Sequence, residues 1–319
     1  MKVLVTGASG YVGRAVLRDL EAAGHGIVAA VRDPARLPPR WRDRAAAVGE
    51  ISADTDWSAA LSGVDAVVHL ASPSAPGGLA DDILDRIVVA GTKRLAEAAQ
   101  RAGARRFVFM SSVKAVGETT PFAGVDETVD PAPEDSYGRA KIAAERALQD
   151  TALSYPGLEV AILRPPPVYG PGSGGNVRRI IDFLRGAPPV LPLGILGNRR
   201  SFLHRDNLAS ATLACLEKPE AAGRTFFVTD GEPLSTGALV RRILTALDRR
   251  ALLLPLPAAG LSRLGATGRR LGASCVFDDT ALRRTLDWKP VVDGRAGMLE
   301  AVRFAADPLQ TAVRGDQPC

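Results

Sequence analysis

The chain has 319 residues, 46% hydrophobic, 24% charged and 5% aromatic, which excludes disordered, fibrous and collagen-like classes and leaves room for one large core with a smaller one appended. Its 40 basic and 35 acidic residues give a formal charge of +5 without a long basic run, suiting an anionic small molecule; few aromatics for base stacking and no helix-turn-helix or zinc signature argue against nucleic acid. The longest apolar stretch, 251–261, is interrupted by Pro255 and Pro257 and falls short of the ~20 residues of a bilayer span, so no membrane span is expected.

In chain order, short valine-rich apolar runs recur: KVLV, GIVAAV, DAVVHLA, RRFVFM and LEVAILR. Stretches with helical spacing lie between them, at 11–23, 83–102 and 137–153. Continuously apolar strands alternating with helices predict a parallel sheet covered on both faces, a doubly wound Rossmann-type α/β domain over residues 1–165. After Arg164 the sequence RPPPVYGPGSGGN breaks this rhythm, and helices are expected at 176–185, 206–218, 235–247 and 295–305. Residues 166–319 are therefore expected to form mainly a substrate-binding lobe, with some segments returning to the main sheet. The first residues lack the basic-then-long-apolar layout of a secretion signal, which implies a cytoplasmic address.

The first strand runs directly into TGASGYVGRAV, with Gly7, Gly10 and Gly13 between a buried strand and an amphipathic helix. Such a turn brings backbone N–H groups and the positive end of a helix dipole to a pyrophosphate. The spacing is GxxGxxG rather than GxGxxG; the alternative is a helix-capping turn that holds no ligand. The second strand ends in VRDP, where Arg32, with Arg36 one turn on, can pair with a ribose 2′-phosphate. That favours NADP. If Arg32 is only a solvated charge and Asp33 takes the hydroxyl, the cofactor is NAD.

SYGRAK places Tyr137 and Lys141 four apart on a helix, so both emerge on one face. A phenol titrating near ~10 is a poor proton donor and acceptor at neutrality, and a neighbouring ammonium stabilises its anion. Ser112, ending the strand RRFVFMSS, can supply a hydroxyl to a substrate oxygen. Alone, Tyr137 and Lys141 would read as a surface pair; Ser112 and the glycine turn reverse that reading. His25, His69 and His204 do not cluster at ligand spacing, so no metal is expected, and His69 within VVHLA reads as a core residue. Cys215, Cys275 and Cys319 fit a reducing compartment, as two packing residues and a free end. Trp57 and Trp288 are expected in helical settings as packing anchors.

TGASGYVG, VDAVVHLAS, FVFMSSVKAVG, SYGRAK and RPPPVYGPG, in this order, resemble the extended short-chain dehydrogenase/reductase family, of the NAD-dependent epimerase/dehydratase type. Further segments, among them GNRRSFLHRDNLA and LDWKP, are similar to its sugar-nucleotide branch, which includes UDP-glucose 4-epimerase-like enzymes and reductases of UDP-4-keto-6-deoxy-N-acetylhexosamine. The resemblance implies a catalytic triad of Ser112, Tyr137 and Lys141 and a dinucleotide turn formed by Gly7, Ser9, Gly10, Tyr11, Val12 and Gly13. It implies Glu50 and Ile51 on the adenine side, and Leu70, Ala71, Ser72 and Pro165 along the nicotinamide channel. Asn176 and Arg200 match positions that hold a sugar-nucleotide diphosphate, the alternative being a helix cap and a loop arginine, and Lys114 either reaches substrate or stands as an exposed lysine. Where the family has NxxGT this chain has VVAGT, so Val88 replaces an asparagine tied to a proton-relay water, and PSAPGGLADD beside the sugar pocket also departs from the pattern.

The resulting expectation is an NADP(H)-dependent reductase of a 4-keto group on a nucleotide-linked 6-deoxy sugar, its substrate a UDP- or dTDP-sugar and its assembly a homodimer. The alternatives are an NAD-dependent nucleotide-sugar 4-epimerase, a ketoreductase of a non-sugar metabolite, and a non-catalytic dinucleotide-binding protein.

Overall fold

A computed structural model describes residues 1–73, 79–191, 194, 197–255 and 272–306. Its strands are β1 (Lys2–Thr6), β2 (Gly26–Val31), β3 (Ala45–Ala47), β4 (Ala66–His69), β5 (Arg106–Met110), β6 (Glu159–Arg164), β7 (Val168–Tyr169), β8 (Val190–Leu191), β9 (Leu203–His204), β10 (Thr225–Phe227) and β11 (Leu252–Leu253). Seven form one parallel sheet in the order β10-β6-β5-β4-β1-β2-β3. The helices are α1 (Tyr11–Ala22), α2 (Asp81–Leu84), α3 (Gly91–Arg101), α4 (Ser136–Ser154), α5 (Asn176–Arg185), α6 (Arg205–Glu217), α7 (Thr236–Ala246), α8 (Thr280–Leu286) and α9 (Gly294–Ala306). The fold is a Rossmann-type doubly wound α/β sheet.

The apolar runs are buried on both faces, β4 and β5 along their whole length, because helices cover each side. One layer packs α1 and α6 against Val3, Val5, Val68 and Val108; the other packs α3 and α4 against Leu4, Val67, Phe107 and Phe109. Both β10 and α6 belong to this main body although they follow residue 165. A separate core joins α5, α7 and α9 through Ile181, Val240, Ile243 and Met298. None of the helices in the described residues is long and apolar enough to cross a membrane.

Cys215 and Cys275 are buried thiols, while Cys319 lies outside the described residues. Trp57 and Trp288 are 1% and 4% exposed, but neither is helical. Trp57 sits in the turns between β3 and β4, where Asp56 accepts from the Ser58 amide at 2.9 Å and the Trp57 carbonyl accepts from the Leu61 amide at 2.9 Å, a single turn that does not extend into a helix. Trp288 comes just after α8, which ends at Asp287 in the left-handed conformation, φ 41°.

A buried ionic clamp ties α4 to the sheet. Glu145 on α4, 1% exposed, receives Arg164 from the end of β6, with Nε to Oε1 at 3.0 Å and Nη2 to Oε2 at 2.6 Å. The Ser111 hydroxyl donates to the same carboxylate. Glu145→Ala, which strands the guanidinium, is expected to cost about 3–5 kcal/mol in urea unfolding, and Glu145→Leu combined with Arg164→Met to recover most of that loss. A double variant no more stable than the single one would contradict this account.

Candidate active site

Because the sheet is parallel, the carboxyl ends of β1, β2, β4, β5 and β6 open along one edge. From β1 the chain continues on one side to β2, and β4 pairs on the other, so the crevice between β1 and β4 is the point where strand order reverses. Gly7, at φ +66°, forms one wall: a Cβ there would lie 2.9 Å from the Ala71 amide nitrogen just past β4. A Cβ on Gly13 would lie 2.2 Å from the Gly7 carbonyl, so the turn and the first turn of α1 pack backbone to backbone. Gly10 is the N-cap of α1 and no side chain caps it, which leaves the first amides of the helix directed at the crevice. These features fit a dinucleotide pyrophosphate. Tyr11 and Val12 open α1, and Ser9 is held through its carbonyl by Arg14 Nε at 3.0 Å.

Opposite this turn, Asp135 caps α4 through a hydrogen bond from the Gly138 amide at 2.7 Å. A Cβ on Gly138 would lie 2.3 Å from the Lys114 carbonyl, so only glycine lets α4 seat this closely on the segment after Ser112. The face of α4 turned inward carries Gly138, Lys141, Glu145 and Leu148, two ionisable residues among them.

Lys141 is 1% exposed; its ammonium donates to the Met110 carbonyl at 2.8 Å and lies 4.7 Å from the centre of the Phe109 ring and 5.6 Å from that of Tyr137. The Tyr137 hydroxyl shares a hydrogen bond of 3.1 Å with Ser72 Oγ. Ser112 Oγ accepts from the Lys114 amide at 3.2 Å, and the next residue, Val113, donates its amide to the Pro165 carbonyl at 3.1 Å. Tyr169, by contrast, is held firmly protonated by burial and by Asp230, to which it donates at 2.8 Å, and is no proton shuttle.

His69 is buried between two threonines, with Nδ1 2.6 Å from Thr6 Oγ1 and Nε2 2.9 Å from Thr92 Oγ1. Thr6 Oγ1 also accepts the Ala71 amide at 3.1 Å. Burial, reinforced by the Lys141 charge, pushes His69 down to about 3, so it stays neutral and structural. Sequence reasoning placed His69 in the core but missed its threonine brackets, along with Gly138, Arg14 and the Glu145 clamp. A glycine inside a helix and a glutamate one turn beyond Lys141 were the available signals.

The other expected residues are dispersed. Arg32 and Arg36 are exposed beyond β2, and the Arg36 carbonyl accepts from Arg14 Nη2 at 3.3 Å, joining this loop to the glycine turn. Asp33 caps the short turn between them, accepting the Ala35 amide at 2.9 Å. Glu50 faces Arg86 at 3.6 Å, while Ile51 packs against Gly91. Leu70 packs against the α1 side of the core. Lys114 is engaged by Asp135 at 2.6 Å and Glu118 at 3.3 Å, which makes it a support for the α4 cap. Asn176 is exposed at the first position of α5; Arg200 pairs through its backbone with Leu234 and Cys275. Val88 is buried in a wide, π-helical stretch, Asp85–Ala90, between α2 and α3. Of the departing PSAPGGLADD segment, residues 74–78 lie outside the described residues.

The sequence matches the NAD dependent epimerase/dehydratase family over residues 3–228. The chain belongs to that family. It is 34% identical to a UDP-glucose 4-epimerase of Vibrio cholerae, covering 90% of each chain, and 31% identical to a 3 beta-hydroxysteroid dehydrogenase/Delta 5→4-isomerase of Mycobacterium tuberculosis, covering 78% of this chain and 70% of that one. It is also similar to MoeE5, solved in complex with UDP-glucose and NAD, with a TM-score of 0.78 and 25% identity over 97% of this chain and 100% of that one. This extended short-chain dehydrogenase/reductase is thus an NAD(P)-dependent oxidoreductase or epimerase.

The neutral histidines make the enzyme acid-sensitive. His69 is lowered to about 3 and His204, mainly by burial, to about 4. Unfolding raises both toward the ordinary value near ~6.5, so the unfolded chain binds more protons in between. Their contribution is fully present above that value and lost as pH falls, each at up to about 1.4 kcal/mol per pH unit. In urea titrations from neutral to acidic pH, His69→Gln should lower stability yet flatten this dependence by about one proton. An unchanged slope would show that His69 titrates normally.

Proposed function

We propose that this family member reduces a 4-keto group on a nucleotide-linked 6-deoxy sugar with NADPH, residues 166–319 supplying mainly the substrate side. The observation carrying the reading is the Tyr137 phenol above the buried Lys141 ammonium, at the crevice walled by Gly7 and Ala71. When bound, the dinucleotide supplies the hydride. The amides at the start of α1 receive its pyrophosphate, and Lys141 holds the nicotinamide ribose. Ser112 donates to the ketone oxygen and Tyr137 delivers the proton to it.

Preference for NADPH is supported by the two exposed arginines beyond β2 and by the turn-capping role of Asp33, the carboxylate that would otherwise meet a 2′-hydroxyl. A sugar-nucleotide substrate is supported by the likeness to the Vibrio cholerae epimerase and to MoeE5, with Asn176 and Arg200 as the diphosphate ligands. The same epimerase likeness favours a second reading, 4-epimerisation with a retained NAD.

Tyr137→Phe should lower kcat by ~10²–10⁴ on UDP- and dTDP-linked 4-keto sugars while dinucleotide affinity, read by fluorescence titration, is preserved. NAD co-purifying through gel filtration, with no NADPH consumption on keto sugars, would move the assignment to epimerisation. Turnover confined to ketones without a nucleotide would overturn the sugar assignment. Separately, Arg32→Ala with Arg36→Ala should weaken NADPH binding by about 10–100-fold and leave NADH binding unchanged. Equal losses for both dinucleotides would refute a 2′-phosphate role.

A further inference from the structure

The phenol of Tyr137 has two very different sides. Toward the sheet it is closed: Lys141 is buried, spends a hydrogen bond on the Met110 carbonyl, and is backed by the Phe109 ring. On the helix side Tyr137 packs against an apolar cluster that includes Val88, Ala140 and Phe109. His69, which stacks on Phe109, has both ring nitrogens committed to Thr6 and Thr92. Toward the crevice, the Tyr137 oxygen meets Ser72 Oγ at 3.1 Å, and Ser72 is only partly buried.

We propose that Ser72 is a positioning residue for Tyr137 and the route by which the phenol regains its proton from solvent. The inference rests on the acid–base role given to Tyr137 above. In the reducing direction the Tyr137 O–H bond breaks as its proton passes to the substrate oxygen. The phenolate then takes the Ser72 hydroxyl proton while Ser72 receives one from a solvent water, in one concerted event, so no serine alkoxide accumulates. The net change is one proton drawn from solvent, ending on the product hydroxyl. Ser72 also fixes the phenol's direction, since a hydrogen bond across the crevice holds the ring against rotation about its side-chain bonds. Valine at position 88 is compatible with this arrangement, because the proton does not travel through the helix side.

Ser72→Ala and Ser72→Thr in the NADPH-loaded enzyme test it. With Ser72→Ala, kcat should fall about tenfold or more with the substrate KM unchanged. The proton inventory in mixed light and heavy water should change from bowed to linear, as two protons in flight become one. Ser72→Thr keeps the hydroxyl and should restore both. A readout independent of any substrate is the ultraviolet phenolate step of the free protein, assigned by its loss in Tyr137→Phe. Removing a donor to the phenolate should move that step to higher pH by about one unit in Ser72→Ala, and Ser72→Thr should return it. An unmoved phenolate step overturns the proposal, as does kcat within about twofold of the parent with an unchanged inventory. If no keto sugar is turned over by the parent enzyme, the proposed function fails on its own, and the phenolate step still decides whether Ser72 governs Tyr137.

Discussion

Lys141 is the constraint on which the rest of the site depends. An ammonium removed from water costs several kcal/mol unless its charge is met, and here it is met by one carbonyl and two aromatic faces. Those partners belong to different elements, Met110 and Phe109 to β5 and Tyr137 to α4, so satisfying the charge fixes α4 against the end of β5. One turn later Glu145 does the same with Arg164 at the end of β6. Two consecutive turns of a single helix are thereby pinned to two adjacent strand ends, which sets the height of Tyr137 over the crevice.

The same charge reaches the opposite wall through His69. Burial and the Lys141 charge both disfavour the protonated ring, so a neutral imidazole bridges Thr6 and Thr92. Thr6 in turn receives the Ala71 amide, the group closest to the missing Cβ of Gly7. The glycine turn after β1 and helix α4 are therefore coupled through His69, by hydrogen bonds on one side and by the Lys141 charge on the other. This is why a glycine turn and a Tyr-Lys pair, each weak alone, carry meaning together.

What could be read from the sequence follows this division. The strands were legible because a sheet covered on both faces demands uninterrupted apolar runs, and the turn because Gly7 and Gly13 sit where side chains have no space. Tyr137 and Lys141 were legible because helical spacing is local. Contacts between distant loops were not. The ion pairs of Lys114 with Glu118 and Asp135 and of Glu50 with Arg86 carried no local sequence signal. Trp57 and Trp288 kept their burial but lost their expected helices, since the turn at Trp57 does not extend and α8 ends at a left-handed residue just before Trp288.

The engagement of Lys114 shapes how an anionic substrate would be met. Asp135 uses one oxygen for the Gly138 amide and the other for Lys114, so the lysine completes a helix cap on the residue following Tyr137. Giving that ammonium to a diphosphate would loosen the cap and with it the tyrosine. Burial pushes the neighbouring Cys275 thiol up to about 11, countered by Arg200, with Glu118, Glu134 and Lys114 also within electrostatic reach. Charges of both signs thus converge on this side of α4, and a diphosphate gains little from a patch already near balance. In the proposed function its recognition falls to Arg200 and to the amides opening α5 at Asn176. In that reading substrate charge and proton transfer are assigned to different side chains.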